Sequence, residues 1–468
     1  MHLVLQMVCS AVRKTNGDNK MKLANCLVLA FVTVVAEAAV NVDDGILTVD
    51  VSADRTLTEE ELFAITNAES TVTKIFKTGT GNLELNEPLD YEGGWEIYKG
   101  NVNVNCASNA FGRGTMTGAQ VEIRAYPDEN KANVDLKVST VIDIPILLHA
   151  NSQKALGIIA RPSTSNVFTK SVSWDSGSFD LYLHRDAIVV LEGGLARTGG
   201  GGGFEPIQPP GSGSTGKVII NKAMISSIGN IWLDQDAPIL CINVETVANT
   251  GSIVTFRGGA QVVLGHNRAL DRQDMHLSFN GSWTGQLDLN GVEFWSQALK
   301  PDGQTQTTGK ITSSVPGGIL NFYQNTDYTN YQVDIAGYAS LVKQGGNLFA
   351  IDRPLSSTGS LTVKNGRMAF LSHSSWRGCS GVTVEGGTLE IGNSNVFNRK
   401  GTIRVTGGKV LLDDGVVQYC SEFYVNGVRQ PDGIYGASGS GVMVLDCFDT
   451  AGKGRLFVGK FGLALLLK

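Results

Sequence analysis

The sequence predicts an all-β fold, a single-stranded right-handed parallel β-helix (β-solenoid) with coils of about 19–21 residues. Three observations predict it. Apolar positions recur at a fixed step in the C-terminal third, short strands alternate at period two, and glycine is abundant, with 57 of 468 residues. Charged residues make up 18% of the chain and aromatic residues 7%, which is typical of turn-rich β structure. Because a solenoid grows by adding turns, one domain accounts for the length.

The repeat consists of apolar ladders and a glycine that keep one phase over three copies. The ladders are Leu361, Val382 and Ile403; Met368, Leu389 and Val410; Phe370, Ile391 and Leu412; the glycines are Gly366, Gly387 and Gly408. Alternating apolar and polar residues indicate strands with one buried face. If equivalent strands of successive copies stack, they run parallel, and parallel strands need a crossover connection between them. No helical periodicity lies between the copies, so the remaining strands and corners of each coil form that connection. Apolar side chains one coil apart are therefore expected to stack inside a tube, with positive φ at the glycine corners.

The N-terminal part shows the same pattern at a slightly shorter step. Gly81, Leu83 and Leu85 recur one step later as Gly100, Val102 and Val104, and the two apolar ladders are expected to continue by the same step to Val121 and Ile123. Ahead of them, Thr58-Glu59-Glu60-Glu61 has the spacing of a capping box. It predicts a short helix, within a cap near 56–68, that covers the open first coil. A polar loop is the alternative.

The middle, from about Val134 to Tyr338, keeps β character but loses a constant step. Strands are predicted around Asp135–Val138, Ile219–Ile220, Val262–Leu264 and Leu287–Gly291. The Gly/Pro-rich stretch 198–217 predicts a flexible excursion from the stack, or a boundary between two modules. The β-helix is predicted over 39–460, with a terminal segment over 421–460 and an apolar tail over 461–468.

The first 38 residues predict an extended n-region and a signal peptide. Met21-Lys22 opens a compact signal, Leu27–Val35 is apolar apart from Thr33, and Ala36-Glu37-Ala38 supplies a cleavage site. Met1 and Met21 both remain candidate start residues. Since a helix needs roughly 18 apolar residues to span a bilayer, neither this stretch nor the tail predicts a transmembrane anchor. A secreted or cell-surface location is expected.

Charge and cysteine patterns exclude several classes of function. The formal net charge of −6 is dispersed, with no basic run, so nucleic acid is not an expected partner. Gly211–Val218 matches the glycines of a phosphate loop, but Val218 stands at the hydroxyl position and strand residues follow, which argues against a nucleotide. Beyond the leader, no Cys-x-x-Cys pair occurs among Cys106, Cys241, Cys379, Cys420 and Cys447. Buried thiols are expected, and one disulfide near the C-terminus stays open.

Candidate catalytic and binding residues are few, and each has a simpler interpretation. Asn325-Thr326-Asp327, Asp413-Asp414 and Gly265-His266-Asn267 resemble the sets of polygalacturonase-type hydrolases, which need paired carboxylates. The histidine segment comes first and lacks its second glycine, so solvated turns are favoured. Asp234-Gln235-Asp236 is interpreted as a polar corner rather than a calcium site. Core filling is favoured over sugar stacking for Trp95, Trp174, Trp232, Trp283, Trp295 and Trp376. No catalytic, metal or cofactor-binding residue is predicted, and no cofactor.

One segment carries a resemblance to a known family. Lys77-Thr78-Gly79-Thr80-Gly81-Asn82-Leu83-Glu84-Leu85, followed by Tyr91-Glu92-Gly93-Gly94 and Ile97–Val102, resembles the autotransporter-associated β-strand repeat. A weaker copy, without the Tyr, begins at Leu341 with Lys343-Gln344-Gly345-Gly346 and resumes at Gly359. The closing segments 425–436 and 452–459 are similar to the ends of such proteins. The resemblance implies an exported bacterial β-helix of the pectin-lyase-like type, without a recognisable membrane barrel, and supplies no catalytic residues.

These observations favour a non-enzymatic surface or extracellular scaffold that displays loops, adhesin-like, for a carbohydrate or protein ligand. The alternatives are a polysaccharide-binding module and a polysaccharide lyase or glycoside hydrolase on a β-helix. Charged side chains from successive coils clustered on one outer face would favour the enzyme, and their dispersal the scaffold. Aligned exposed aromatic residues would favour the binding module.

Overall fold

The computed structural model forms a β-solenoid of stacked parallel strands, and only 2% of the residues that it describes are helical. It describes residues 41–67, 70–124, 132–149, 154–199, 203–208, 216–222, 230–233, 237–244, 253–267, 269, 272–280, 283–302, 309–323, 327–331 and 333–459. The predicted leader, the pair Asp234 and Asp236, Asn325-Thr326 and the tail 461–468 lie outside these residues. The predicted fold class is confirmed.

One parallel sheet, sheet 2, runs through the whole stack. Its strands are Arg55–Thr56, Leu83–Leu85, Gly100–Val104, Ala132–Leu136, Lys154–Ala160, Ser178–Leu183, Gly203–Ile207, Asn230–Leu233, Ile253–Phe256, Arg272–Asn280, Glu293–Asp302, Ile319–Tyr323, Ser340–Gln344, Leu361–Val363, Gly381–Val384, Thr402–Val405 and Glu422–Val425. Each pairs with the strand of the next coil. This ladder joins the regular and the irregular coils into one stack.

Three shorter sheets form the other faces in turn. Sheet 1 contains Ile46–Asp50, Lys74–Thr78, Gly94–Ile97, Val121–Arg124, Ile146–His149, Val172–Trp174 and Leu195–Arg197. Sheet 3 contains Val141–Ile142, Ser165–Phe168, Ile188–Leu191, Lys217–Ile220, Ile239–Ile242, Gln261–Leu264, Gln286–Asp288, Lys310–Ser313 and Asp334–Gly337. Sheet 4 contains Tyr328–Tyr331, Leu348–Ile351, Arg367–Phe370, Thr388–Ile391 and Lys409–Leu412. The second and third sides of the coil thus change along the stack while sheet 2 persists.

The apolar ladders of the C-terminal third stack as predicted. Leu361 is the register partner of Val382, which is the partner of Ile403 in the next coil. The ladders through Leu389 and Ile391 pair in the same way in sheet 4. All nine ladder side chains are buried in one continuous core. Neighbouring strands lie about 4.8 Å apart, so each side chain packs on its counterpart one coil away.

Coil length is nearly constant only in this third. The successive sheet 2 partners Leu341, Leu361 and Val382 follow one another at almost equal steps along the chain, whereas Gly100 pairs with Ala132 across a much longer one. The expected continuation of the N-terminal ladders to Val121 is therefore wrong. Val121 pairs with Trp95 in sheet 1, because the long corner 105–120 lets the chain pass a further side before it returns to sheet 2.

The predicted excursion 198–217 is wrong for 203–207, whereas 200–202 and 209–215 lie outside the described residues. Gly203–Ile207 is a strand of sheet 2, and Lys217 begins a strand of sheet 3. Phe204 packs on Phe179 of the preceding coil with ring centroids 5.5 Å apart. These residues belong to the stack because apolar side chains at alternate positions fill the tube, although glycine and proline surround them.

Two buried lysines organise corners that carry the same sequence pattern. The Lys77 ammonium donates to the carbonyls of Gly79 at 2.9 Å, Gly81 at 2.8 Å and Lys99 at 2.5 Å. Lys343 donates to its own corner, to Gln344 and Gly345, and to Asn365 of the next coil. Burial lowers the pKa of each amine to about 8. Each lysine replaces the water that would otherwise bond these carbonyls.

The glycines of the motif are explained by close approach. A Cβ on Gly93 would lie 2.2 Å from the Tyr91 hydroxyl, which donates to the Gly94 carbonyl at 3.1 Å. Gly387 has φ +68°, and its Cβ would lie 2.2 Å from the carbonyl oxygen of Gly366. Positive φ is thus confirmed at Gly366 and Gly387, whereas Gly408 does not have it. The motif residues build corners.

The described ends of the stack are closed by local structure. Asn41–Asp43 folds back antiparallel on the first strand of sheet 1 through Asp44-Gly45, and Val428–Arg429 does so on the last strand of sheet 2 through Asn426-Gly427. The predicted capping box is present on helix α1, Glu59–Thr66, where Thr58 and Glu61 exchange hydrogen bonds. The C-terminal part of the chain forms one more sheet, sheet 5, which contains Val417–Cys420, Arg455–Val458, Gly433–Gly436 and Met443–Val444.

Candidate functional site

The outer face of sheet 1 carries a line of charged side chains from four consecutive strands and from the residue that follows the fifth. We name it the charge ladder: Lys74, Glu96, Glu122, Arg124, His149 and Asp175. These residues alternate along their strands with buried apolar residues such as Ile97, Ile123 and Leu148. Period-two alternation therefore turns all of them away from the core.

In the part of the charge ladder formed by Lys74, Glu96, Glu122 and Arg124, each charged group lies near one of opposite sign. Glu96 and Glu122 are register partners, so two carboxylates stack on neighbouring strands. The Lys74 ammonium bridges them, 3.5 Å from Glu96 and 3.2 Å from Glu122, while Arg124 Nε lies 3.0 Å from Glu96. Burial raises the pKa of Glu122, but the bonds from Lys74 and His149 outweigh it and hold that pKa below its ordinary value.

His149 connects Glu122 to Asp175, the last member of the charge ladder. Its Nδ1 lies 2.6 Å from an Asp175 carboxylate oxygen, and its Nε2 lies 3.1 Å from Glu122. The ring therefore contacts carboxylates of the coils on both sides.

The outer face of sheet 2 carries a second network, which we name the amide face. Its members form three rows on successive coils: Asn82, Glu84 and Asn86; Asn101, Asn103 and Asn105; Asn133, Asp135 and Lys137. Rows lie about 4.8 Å apart, and side chains two residues apart on a strand lie about 7 Å apart. The result is a regular grid of polar groups beside the charge ladder.

The amides bond to one another from coil to coil. Asn101 donates from Nδ2 to Asn82 Oδ1 at 2.9 Å, and Asn133 donates likewise to Asn101 at 3.0 Å. Glu84 accepts from Asn103 at 2.6 Å and from Asn105 at 2.7 Å. Such ladders stabilise the stacking of parallel strands. They also present a planar array of donors and acceptors.

Asp135 closes the amide face at its upper edge. Its buried carboxylate accepts from Arg161 through two nitrogens, one at 2.7 Å, and lies 3.0 Å from the Lys137 ammonium. Burial would raise the pKa of Asp135, but these bonds outweigh it, so that its pKa is lowered. The carboxylate thus stays ionised and bound in place.

The catalytic set considered from the sequence does not come together. The Asp327 carboxylate accepts a hydrogen bond from the backbone N–H of Leu348, and that of Asp414 accepts one from the backbone N–H of Lys453. Each carboxylate therefore holds a neighbouring turn in place. The strands after Asp327 and before Asp413 are the first and last of sheet 4, four steps or about 19 Å apart. Asn267 accepts from the backbone of Glu293 beside sheet 2. Burial and the nearby Glu390 raise the pKa of Asp413.

Four of the six tryptophans fill the core, in line with the sequence interpretation: Trp95, Trp174, Trp283 and Trp376. Trp232 and Trp295 are half-buried on the outer face of sheet 2. Lys217, the last polar residue of the phosphate-loop pattern, begins a strand instead of the helix that such a loop requires.

The cysteines of the described region are free thiols: Cys106, Cys241, Cys379, Cys420 and Cys447. Burial raises the pKa of Cys379 and of Cys420 to about 12, so neither is a thiolate nucleophile near neutral pH. Within the same region, no three His, Cys, Asp and Glu side chains are grouped to hold a metal ion.

The charge ladder and the amide face were not foreseen from the sequence. The steps between their rows are unequal, so no fixed period reveals them. The usable signal is local, namely polar residues at alternate positions between apolar ones in 82–86, 101–105 and 133–137. Once the strands are paired, these segments become neighbours.

No helix among the described residues has the length and apolar character to cross a membrane. Comparison of the chain with protein-family models, with curated proteins and with solved structures gave no match. The resemblance to the autotransporter-associated β-strand repeat stays an interpretation of the motif residues.

Proposed function

We propose that the protein is a non-enzymatic, exported scaffold whose rigid β-solenoid displays polar outer faces and loops to a surface ligand, in the manner of an adhesin. One observation carries this proposal: the ionised groups of both networks are bonded to one another across coils. A general acid must hold a proton near neutral pH, whereas the pKa values of Glu122 and Asp135 are lowered. These carboxylates act as structural ties.

Export is inferred from the leader pattern in residues 1–38 and from the resemblance of the corner motif to a repeat of exported proteins. The motif residues Lys77, Tyr91 and Gly93 are used for corner packing, which supports an architectural role for the repeat. A location outside the cytoplasm is tested by expressing the full chain in a bacterium and sequencing the N-terminus of the exported product. The proposal expects a product that begins near residue 39, and an unprocessed cytoplasmic chain contradicts it.

The scaffold role is tested with a panel of purified polysaccharides. The full chain is incubated with each polymer, and new reducing ends and unsaturated sugar products are measured. The proposal expects no product above the heat-inactivated control. Sustained release of oligosaccharides from any polymer contradicts it and selects the enzymatic alternative.

A second candidate function, a carbohydrate-active protein, is favoured by two carboxylates on sheet 2. Asp180 and Glu205 are register partners on neighbouring coils and face outward, yet both are nearly fully buried. Tyr182 lies two positions further on the same face, and its ring offers a stacking surface for a sugar. The charge ladder likewise gathers charged side chains from successive coils on one outer face, the arrangement that favours an enzyme.

This candidate is distinguished by conservative variants. Asp180→Asn and Glu205→Gln remove each charge while keeping the shape of the side chain. If product release is found, an enzyme using this pair loses about 100-fold or more of its rate in each variant. A binding module without catalysis instead releases no product and binds a polymer on a glycan array, with weaker binding in Tyr182→Ala.

A further inference from the structure

An aromatic pair lies on the outer face of sheet 1, beside the charge ladder. Phe76 belongs to the strand Lys74–Thr78, and Tyr98 directly follows its partner strand Gly94–Ile97. The two ring centroids are 5.7 Å apart, and the ring planes are tilted by 40°. The Tyr98 backbone N–H donates to the Lys77 carbonyl at 2.9 Å, so the pairing of the strands continues to this residue. Both rings therefore project from the same face, and 37% of Tyr98 is exposed.

One carboxylate of the charge ladder, that of Glu96, is adjacent to both rings in the sheet. Glu96 is the register partner of Phe76 and lies two positions before Tyr98 on the same outer face. Lys74 approaches the carboxylate at 3.5 Å and Arg124 at 3.0 Å. An ionised carboxylate has about four acceptor positions, so these two bonds leave Glu96 able to accept from a ligand hydroxyl.

The charges beside the rings are balanced and held in place. Lys74 lies within 3.5 Å of both Glu96 and Glu122. Arg124 adds the second cation at Glu96, so the four groups together carry no net charge. Complementarity then favours an uncharged ligand over an anionic or a cationic one. Because the contacts cross three consecutive strands, the side chains are ordered before a ligand binds, and binding costs them little conformational entropy.

We propose that Phe76 and Tyr98 form the stacking platform of a subsite that binds neutral saccharides. Glu96 accepts hydrogen bonds from the sugar hydroxyls, and Arg124 donates to them. The C–H face of a pyranose ring packs on an aromatic face while its hydroxyls lie around the edge, so such a ligand needs both kinds of group side by side. The subsite rests on the proposed display of outer faces and gives the surface ligand a chemical class.

A matched control for the platform is Tyr424, on the outer face of sheet 2. Its side chain is partly exposed, and its register partner on the preceding strand is Arg404. The Arg404 guanidinium lies over the Tyr424 ring, 5.0 Å from the centroid. The ring face that it covers is not available to a sugar, so this tyrosine does not provide an equivalent platform.

The subsite is tested with the full chain and fluorescently labelled tetrasaccharides of glucose, mannose, galactose and N-acetylglucosamine, with tetragalacturonate as the acidic counterpart. Fluorescence anisotropy measures each Kd. We expect at least one neutral tetrasaccharide to bind, and Tyr98→Ala to weaken that binding about tenfold through the loss of one aromatic contact. Tyr424→Ala should leave it unchanged. Absence of neutral binding, tighter binding of tetragalacturonate, or full affinity in Tyr98→Ala overturns the proposal.

Two conservative variants keep the subsite testable if Tyr98→Ala does not fold. Tyr98→Phe retains the ring and should bind within about twofold of the wild type, whereas Phe76→Leu retains an apolar side chain without the ring and should bind about fivefold more weakly. The reverse order of the two contradicts stacking on these rings. The same incubations are assayed for new reducing ends, so product release, which contradicts the non-enzymatic scaffold, is measured separately from Kd.

Discussion

The coils from residue 340 to 412 and those from 46 to 207 share one kind of interior but differ in their corners. In the C-terminal coils, partners such as Leu361 and Val382 are separated by a nearly constant step, and glycines with little space around them turn the chain. In the N-terminal coils the step varies, and it is longest where Gly100 pairs with Ala132. The core therefore needs only the register of short strands, whereas a visible sequence period also needs corners of equal length.

The difference extends to the outer faces. The variable coils carry the charge ladder and the amide face, in which bonds such as Asn101 to Asn82 tie one coil to the next. The outer face of sheet 2 in the regular coils presents Thr362 and Thr383 as partners, followed by Arg404 stacked on Tyr424 at 5.0 Å. The N-terminal coils thus supplement the core with polar networks over three or more coils, whereas a cross-coil ion pair of the regular coils, Arg367 with Glu390 at 2.7 Å, joins two.

The largest effect is expected when the shared interior is broken. Leu389→Asp places a charge without a partner in the core between Met368 and Val410. We expect the free energy of unfolding to fall by about 4 kcal/mol or more, measured by denaturant titration. Thr388→Asp, one position away on the outer side, is the control and should cost less than about 1 kcal/mol. Equal losses in the two variants contradict the inward position of Leu389.

Glycine corners of the regular coils come next. Gly387→Ala adds the strain of positive φ and a Cβ placed 2.2 Å from the carbonyl oxygen of Gly366. We expect a loss of about 3 kcal/mol. Gly415 also has positive φ, at +79°, but open space lies around it, so Gly415→Ala should lose only about 1 kcal/mol. Similar losses at both positions would show that backbone strain alone matters.

A smaller effect on stability is expected at the lysine corners, of which each region has one. Burial lowers the pKa of Lys77 and of Lys343 to about 8 from 10.5. The unfolded chain therefore binds the proton more tightly, and stability should rise between about pH 8 and about pH 10.5. Relative to Lys77→Met or Lys343→Met, the wild type should gain about 2 kcal/mol over this window. A gain with one lysine only would separate the two corners, and a gain with neither contradicts this account of their burial.

The smallest effect is expected where corners already vary. Two glycines inserted after Met116, an exposed residue of the long corner 105–120, should change stability by less than about 1 kcal/mol, since loop closure costs little per added residue. The same insertion after Glu385 interrupts the close approach of Gly386 to the carbonyl oxygen of Lys364 and should cost more. Thermal unfolding of both variants measures the contrast. A tolerant corner at Glu385 would remove the distinction between the regions.

The sequence predicts the interior of the regular coils well because each ladder position recurs at one step. Phe370, Ile391 and Leu412 can be placed inside without coordinates, and Thr58-x-x-Glu61 identifies the one helix among the described residues. Val121 is misplaced because a fixed step cannot reveal a coil with a much longer corner. In the irregular middle, strands such as Gln261–Leu264 are recognisable, but their partners are not.

The buried lysines and the outer polar networks are harder to predict from the sequence, because their contacts depend on which strands pair. Lys77 shares the alternation of the buried Ile75, which indicates an inward side chain, yet a lysine is rarely assigned to a core. The contacts of His149 depend on which strands lie beside it. Such contacts emerge only when register joins residues that lie 26 or 27 positions apart.

The stacking of equivalent side chains one coil apart is tested most directly by cross-linking. Thr362 and Thr383 are register partners on neighbouring strands, and a separation of about 4.8 Å falls within the range that a disulfide accepts. Thr362→Cys combined with Thr383→Cys should form a disulfide on mild oxidation, identified by peptide mapping without reduction. Thr362→Cys combined with Arg404→Cys, two coils apart at about 10 Å, should not. Absence of the first link, or equal formation of both, contradicts the stack.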